Sequence, residues 1–141
     1  MSNQKEIIRP KGVFNPQELK DNDPRGLPWS QGVRVGNLLF FSGQVCRNRE
    51  GKLIGEGDIV KQTEQTFENL KAMLEELGGS LDDVVHTTWY CTNIEDFYKK
   101  GCSNIRWKYY KKDFPTSTLA GVTRLATLSY KVELETIAIV S

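Results

Sequence analysis

Histidine is nearly absent from this chain: His86 stands alone. A single histidine is a poor basis for a metal site, and it leaves no Ser–His–Asp triad that can be assembled. Cysteine is scarce and odd in number, as Cys46, Cys91 and Cys102, with no CxxC spacing. That pattern excludes a disulfide framework and a zinc site, and leaves Cys46 and Cys91 to serve as small buried hydrophobes. Excess charge is also missing. The formal net charge is +1, so nothing drives general attraction to nucleic acid or to an anionic membrane. No long apolar run occurs, and the opening MSNQKEIIRPKG has no apolar signal core. These absences lead us to expect a soluble, cytoplasmic protein with no metal, nucleic-acid or membrane partner.

What is present is ordinary globular material. A chain of 141 residues suits one domain with a real core. We read residues 1–26, rich in turn-forming Pro, Asn, Asp and Gly, as an irregular arm, and residues 27–141 as a single domain. The organising stretch is Leu38–Gln44, LLFFSGQ. Four large apolar residues running into a small polar corner read as a strand buried on both faces. Gly43 admits two roles, the end of a strand at a turn or a close backbone approach at the floor of a pocket. GVRVG at 32–36 and Asn37 form a hairpin with this strand. NREGK at 48–52 is a second turn.

Asp58 reads as the N-cap of an amphipathic helix. Val60, Thr63, Phe67, Leu70, Leu74 and Leu77 recur at three- and four-residue steps, and Gly78 is the C′ residue. VVHTTWYC at 84–91 is β-branched and aromatic, hence a strand. A second helical region opens at Asn93 or Glu95 and is kinked or split at Gly101–Ser103. STLAGVTRL at 117–125 reads as a strand with Gly121 at a bulge or close contact. YKVELETIAIV at 130–140 is the closing strand. The order β–β–α–β–α–β–β predicts an α+β fold, a mixed sheet with both helices on one face. Strands apolar on both faces leave the other sheet face uncovered, and a homo-oligomer is the simplest cover.

Candidate chemistry is sparse. Glu133 lies inside an apolar strand, where a carboxylate acquires a raised pKa and can hold or activate water. Facing solvent or pairing with a cation is the equal alternative, and for Glu135 it is the favoured one. Trp29 walls a pocket or packs the arm down. Asn104 binds a ligand or caps a broken helix. Trp107, Tyr109 and Tyr110 among lysines superficially suggest an RNA-stacking patch, but an amphipathic helix fits this net charge better.

In order and spacing, PWSQGVRVGN (28–37), FFSGQ (40–44), QTEQTFENLKAMLEELG (62–78), SLDDVVHTTWY (80–90), FPTST (114–118) and VELETIA (132–138) resemble the YjgF/RidA family. The resemblance implies a chorismate-mutase-like fold and a homotrimer with a barrel core. It also implies small-molecule pockets at the subunit interfaces, with no metal or organic cofactor. The activity it implies is hydrolysis of an enamine or imine, such as 2-aminoacrylate, to a keto acid and ammonia. Carried over residue by residue, the pocket aromatic falls on Trp29, where Tyr is more usual. The pocket glycine falls on Gly43, beside Ser42 and Gln44. The water-positioning glutamate falls on Glu133, the ligand-contacting backbone on Leu119 and the helix asparagine on Asn104, given a short insertion at 99–103.

One departure matters. Where deaminating members carry an arginine that grips the substrate carboxylate, this chain has Ser117. Serine supplies no two-pronged ion pair, and losing such a guanidinium costs about 2–5 kcal/mol. Arg34, Arg106 and Arg124 are the candidate replacements, and the sequence does not choose among them. Three functions follow in decreasing order. The first is an imine hydrolase with a non-standard substrate, using Glu133 and Ser117. The second is a binding or sensing protein with the same pocket, and the third a ribonuclease.

Overall fold

The computed structural model describes residues 4–141. Six strands form one sheet: β1 (Glu6–Ile8), β2 (Gly32–Val35), β3 (Leu38–Gln44), β4 (Val84–Cys91), β5 (Thr116–Gly121) and β6 (Val132–Ile139). The helices are α1 (Ile59–Glu76), α2 (Ile94–Lys99) and α3 (Cys102–Tyr109), with short 3-10 turns at Pro16–Glu18 and Leu81–Asp83. The strand order is β1-β2-β3-β6-β4-β5. Every neighbouring pair is antiparallel except β4 and β5, which run parallel because α2 and α3 carry the chain back between them. This is the expected α+β layering, with three helices rather than two.

Local chemistry explains the boundaries. The Asp58 side chain accepts from the Lys61 N–H at 3.1 Å and starts α1, and Gly78, at φ +81°, ends it. Gly101, at φ +82°, divides the second helical region into α2 and α3, as its sequence predicts. Gly36 takes φ +60° in the two-residue β2–β3 turn, where Val35 pairs with Leu38. At Gly121 the β4–β5 register runs unbroken, and an added Cβ would lie 3.0 Å from Ile94 Cδ1. This glycine therefore serves close packing and not a bulge.

The core lies between the sheet and the helices. Phe67 of α1, fully buried, stacks on Tyr109 at 4.4 Å and meets Trp89 at 5.3 Å and Tyr110 edge-on at 5.6 Å. Buried faces alternate along β3 (Leu39, Phe41) and β6 (Val132, Leu134, Thr136, Ala138). Tyr109 and Tyr110 are thus core residues, their rings turned into the protein, with Lys108 Nζ lying over the Tyr109 ring at 5.2 Å.

Two expectations are corrected. The segment before residue 27 is not irregular throughout: Glu6–Ile8 pairs with Arg34–Gly32 as an edge strand, and Val13 and Phe14 are buried. β3 is not buried on both faces in the single chain. Leu38 is 39% and Phe40 43% exposed, because all three helices cover the opposite face. Cross-strand pairing sets Leu38 beside Ile139 and Phe40 beside Ile137, so this uncovered face carries a contiguous apolar patch.

Candidate functional site

Two of the cavities against the sheet contain predicted site residues. The first, about 390 Å³, lies where the N-terminal segment folds over the end of β3 and β6. Trp29, Gly43, Arg47, Tyr130 and Glu133 line it. Trp29 packs edge-on against Phe14 at 6.1 Å, so it both walls the cavity and holds the arm. Gly43 has to be small for a specific reason: a Cβ there would lie 2.2 Å from Glu133 Oε2. The carboxylate of β6 rests directly over the backbone of β3.

Glu133 is placed on the uncovered sheet face, opposite Tyr90 of β4. Its pKa is raised, first by burial and second by the like charge of Glu135. Among the described residues no protein group is found donating a hydrogen bond to this carboxylate, which leaves both oxygens for water or a ligand. Glu135 is exposed, as expected.

The walls of this cavity are set from α1 by buried polar side chains. Asn69 donates to the carbonyls of Val45 (3.0 Å) and Arg47 (2.8 Å). Gln62 donates to Ser129 O at 2.9 Å and accepts from the Lys131 N–H at 2.8 Å. The first pair fixes the backbone of Arg47, and the second brackets Tyr130. Arg47 in turn donates through Nε to the Tyr130 hydroxyl and through Nη1 to Gly51 O. Sequence reasoning missed Arg47 and Tyr130. Each lies outside the regular strands, and only tertiary contact brings the two together.

The second cavity, about 280 Å³, lies on the helix side, between α3 and the β4–β5 pair. Asn104, Arg106, Tyr110 and Ser117 line it, and Trp107 and Phe114 form an apolar lip, their rings 4.8 Å apart. Arg106 Nη1 donates to Ser117 Oγ at 3.2 Å, while Nε and Nη2 engage Ser103. No carboxylate pairs with Arg106 among the described residues. The Tyr110 hydroxyl is buried without a hydrogen-bond partner, and burial pushes its pKa up. The other two candidate arginines are tied to backbone elsewhere, Arg34 to Gly36 O and Val140 O, Arg124 to Leu125 O and Ala126 O.

The predicted site residues therefore divide. Trp29, Gly43 and Glu133 share one cavity; Asn104 and Ser117 share the other, on the opposite side of the sheet. Three residues line neither. Ser42 spends its hydroxyl on Ser30 O at 2.6 Å. Gln44 is 1% exposed and its side-chain amide donates to Gln31 Oε1, so that side chain anchors the arm. Leu119 sits half-buried on the edge strand β5, paired with Trp89. His86 contacts Thr116 and Thr88 and joins no metal cluster among the described residues. All three cysteines are buried free thiols whose pKa values burial raises. No helix among the described residues is long and apolar enough to cross a membrane.

Comparison with known proteins gives a consistent picture. The family model described as Endoribonuclease L-PSP matches residues 22–140. A RutC family protein of Pyrococcus abyssi is 39% identical over 111 residues, covering 79% of this chain and 85% of the relative. The 2-iminobutanoate/2-iminopropanoate deaminase of Dermatophagoides farinae is 31% identical over 113 residues, covering 80% and 86%. Among solved structures, that of Escherichia coli TdcF with bound serine superposes with a TM-score of 0.77 at 26% identity, covering 96% of this chain and 99% of that one.

Proposed function

This chain belongs to the YjgF/RidA family, which the Endoribonuclease L-PSP model describes, and from that premise we propose that it hydrolyses a small imine or enamine to a carbonyl compound and ammonia. The observation that carries this reading is the Glu133 carboxylate, held over Gly43 at a cavity wall with its pKa raised and its oxygens unclaimed. Such a carboxylate takes a proton from a bound water as the oxygen attacks the C=N carbon. The carboxylic acid returns that proton to nitrogen to give the neutral carbinolamine; the carboxylate then takes the hydroxyl proton and relays it to nitrogen as C=O forms and the C–N bond breaks, releasing the carbonyl product and ammonia. An enamine first takes a proton at carbon to reach the imine. The deaminase name of the mite relative and the amino acid bound to TdcF support a small amino-acid-derived ligand.

The complete site is assembled between subunits of a homotrimer. Two features support this. Leu38, Phe40 and Ile139 expose an apolar patch on the face that bears Glu133. The residues assigned to one site also lie on opposite sides of the sheet within a chain, so a second copy has to supply one half.

The test is direct. 2-Aminoacrylate is generated in situ and pyruvate release is followed with and without the protein. We expect acceleration that Glu133→Gln abolishes. An unaccelerated reaction, with normal folding, would defeat the hydrolase reading. It would favour the alternative, a small-molecule sensor with the same pocket, for which the replacement of the family arginine by Ser117 is the supporting observation.

A further inference from the structure

The cavity under α3 contains more than Ser117. It holds an arginine with no carboxylate partner, a serine hydroxyl already within its reach, and a buried phenol hydroxyl with nothing to bond. An orphaned buried hydroxyl is costly, by about 1–3 kcal/mol, unless a ligand or water completes it. The charge balance is one-sided too, since the cavity presents a cation and neutral donors but no acid. An anion satisfies all of these groups together. The rim adds a second requirement. Trp107, 72% exposed, and Phe114, 46% exposed, stand in contact at the cavity mouth, where they offer an apolar surface beside the charge.

We propose that Arg106 is the substrate anchor of this protein: presented from α3 instead of β5, it binds the carboxylate of a 2-imino or 2-oxo acid with an apolar side chain, with Ser117 and Tyr110 as auxiliary donors. The assignment rests on the imine-hydrolase reading for its reaction, but not for its binding chemistry. Ser117 is then no lost function. A long arginine at 117 would compete for the space the Arg106 guanidinium occupies, and serine both vacates that space and orients the newcomer through the 3.2 Å bond. Arg106 is further steadied from below by Ser103, through Nε to the carbonyl and Nη2 to the hydroxyl. Nη1 keeps its remaining hydrogen for the ligand, because a guanidinium carries five donors and the protein uses three.

Calorimetric titration with 4-methyl-2-oxopentanoate, a stable oxo acid, tests this on the full chain, with its methyl ester as the neutral control. The parent protein should bind the acid and hardly the ester. Arg106→Gln should weaken the acid at least about 30-fold, the lower end of the effect of removing one partner of a desolvated charge pair. It should change the ester by less than about threefold. Tyr110→Phe, which keeps the ring packed, should weaken the acid about tenfold. The double variant Arg106→Gln/Ser117→Arg should regain binding. Acid binding by Arg106→Gln within about threefold of the parent would overturn the proposal. So would equal affinity of the parent for acid and ester, or no binding of the acid to the parent. Turnover separates this inference from the reaction. Arg106-dependent binding without imine hydrolysis leaves the anchor standing and removes the hydrolase. Hydrolysis whose kcat/KM is unchanged in Arg106→Gln does the reverse.

Discussion

A methyl group added at Gly43 would sit 2.2 Å from Glu133 Oε2, 2.6 Å from Cδ and 2.8 Å from Cγ. Non-bonded carbon contacts are comfortable near about 3.5–4.0 Å, so the carboxylate has to retreat by about 1 Å or more. The backbone itself accepts alanine, since φ at Gly43 lies outside the left-handed region. The unfolded chain also loses freedom, which favours the variant by about 0.4–1 kcal/mol and offsets part of the crowding. Gly43→Ala should therefore stay within about 1 kcal/mol of the parent in denaturant unfolding. Its activity should fall much further. A misplacement of about 1 Å at a reacting group costs about 100-fold, or about 2.7 kcal/mol of barrier. The assay is pyruvate release from 2-aminoacrylate for Gly43→Ala, Glu133→Gln and the double variant. If the glycine acts only by making room for the carboxylate, the double variant is no slower than Glu133→Gln alone. A further 100-fold loss in the double variant, or near-parental activity in Gly43→Ala, would refute the account.

Other expectations follow from the same geometry. Because the Glu133 pKa is raised, its contribution to stability is fully present below the ordinary carboxylate value of 4.5 and is lost as pH rises through the folded value. Glu133→Gln should accordingly unfold at higher denaturant than the parent at pH 7, and the difference should vanish below about pH 4. The acid limb of the activity profile should lie above the usual carboxylate range, and Glu135→Gln, which removes the lesser of the two causes, should move it down slightly. Asn69→Leu keeps the side-chain volume but strands the Val45 and Arg47 carbonyls. It should cost about 2–4 kcal/mol in denaturant unfolding. Phe40→Glu places a charge in the uncovered apolar patch; if the proposed trimer forms through it, light scattering should report trimer for the parent and monomer for the variant, without loss of helical circular dichroism.

Periodicity made most of the fold readable. The α1 stripe, its caps, the strand Leu38–Gln44 and the alternation in Val132–Ile139 are local signals, and each appears where its spacing puts it. β1 was not readable. Three residues are too few for a period of two, and Glu6–Ile8 becomes a strand only because β2 offers it an open edge. For the site, Glu133 stood out as a carboxylate in an apolar strand, whereas Gly43 was locally ambiguous between a strand-ending turn and a pocket floor, and only the family resemblance favoured the pocket. Arg106 was one of three cations with equal standing until the packing of α3 against β5 brought it to Ser117. The reach of a flexible side chain across eleven residues is a tertiary fact with no periodic signature.

The separation of Glu133 and Ser117 onto opposite sides of one sheet has a genetic consequence. In a cyclic assembly of the proposed kind, each reaction centre draws its carboxylate from one gene product and its α3 face from another. A subunit crippled at Glu133 and a subunit crippled at Arg106 would each form a dead ring. Mixed in one cell, they would form hybrid rings in which one junction brings the two undamaged halves together, so two null alleles would rescue each other.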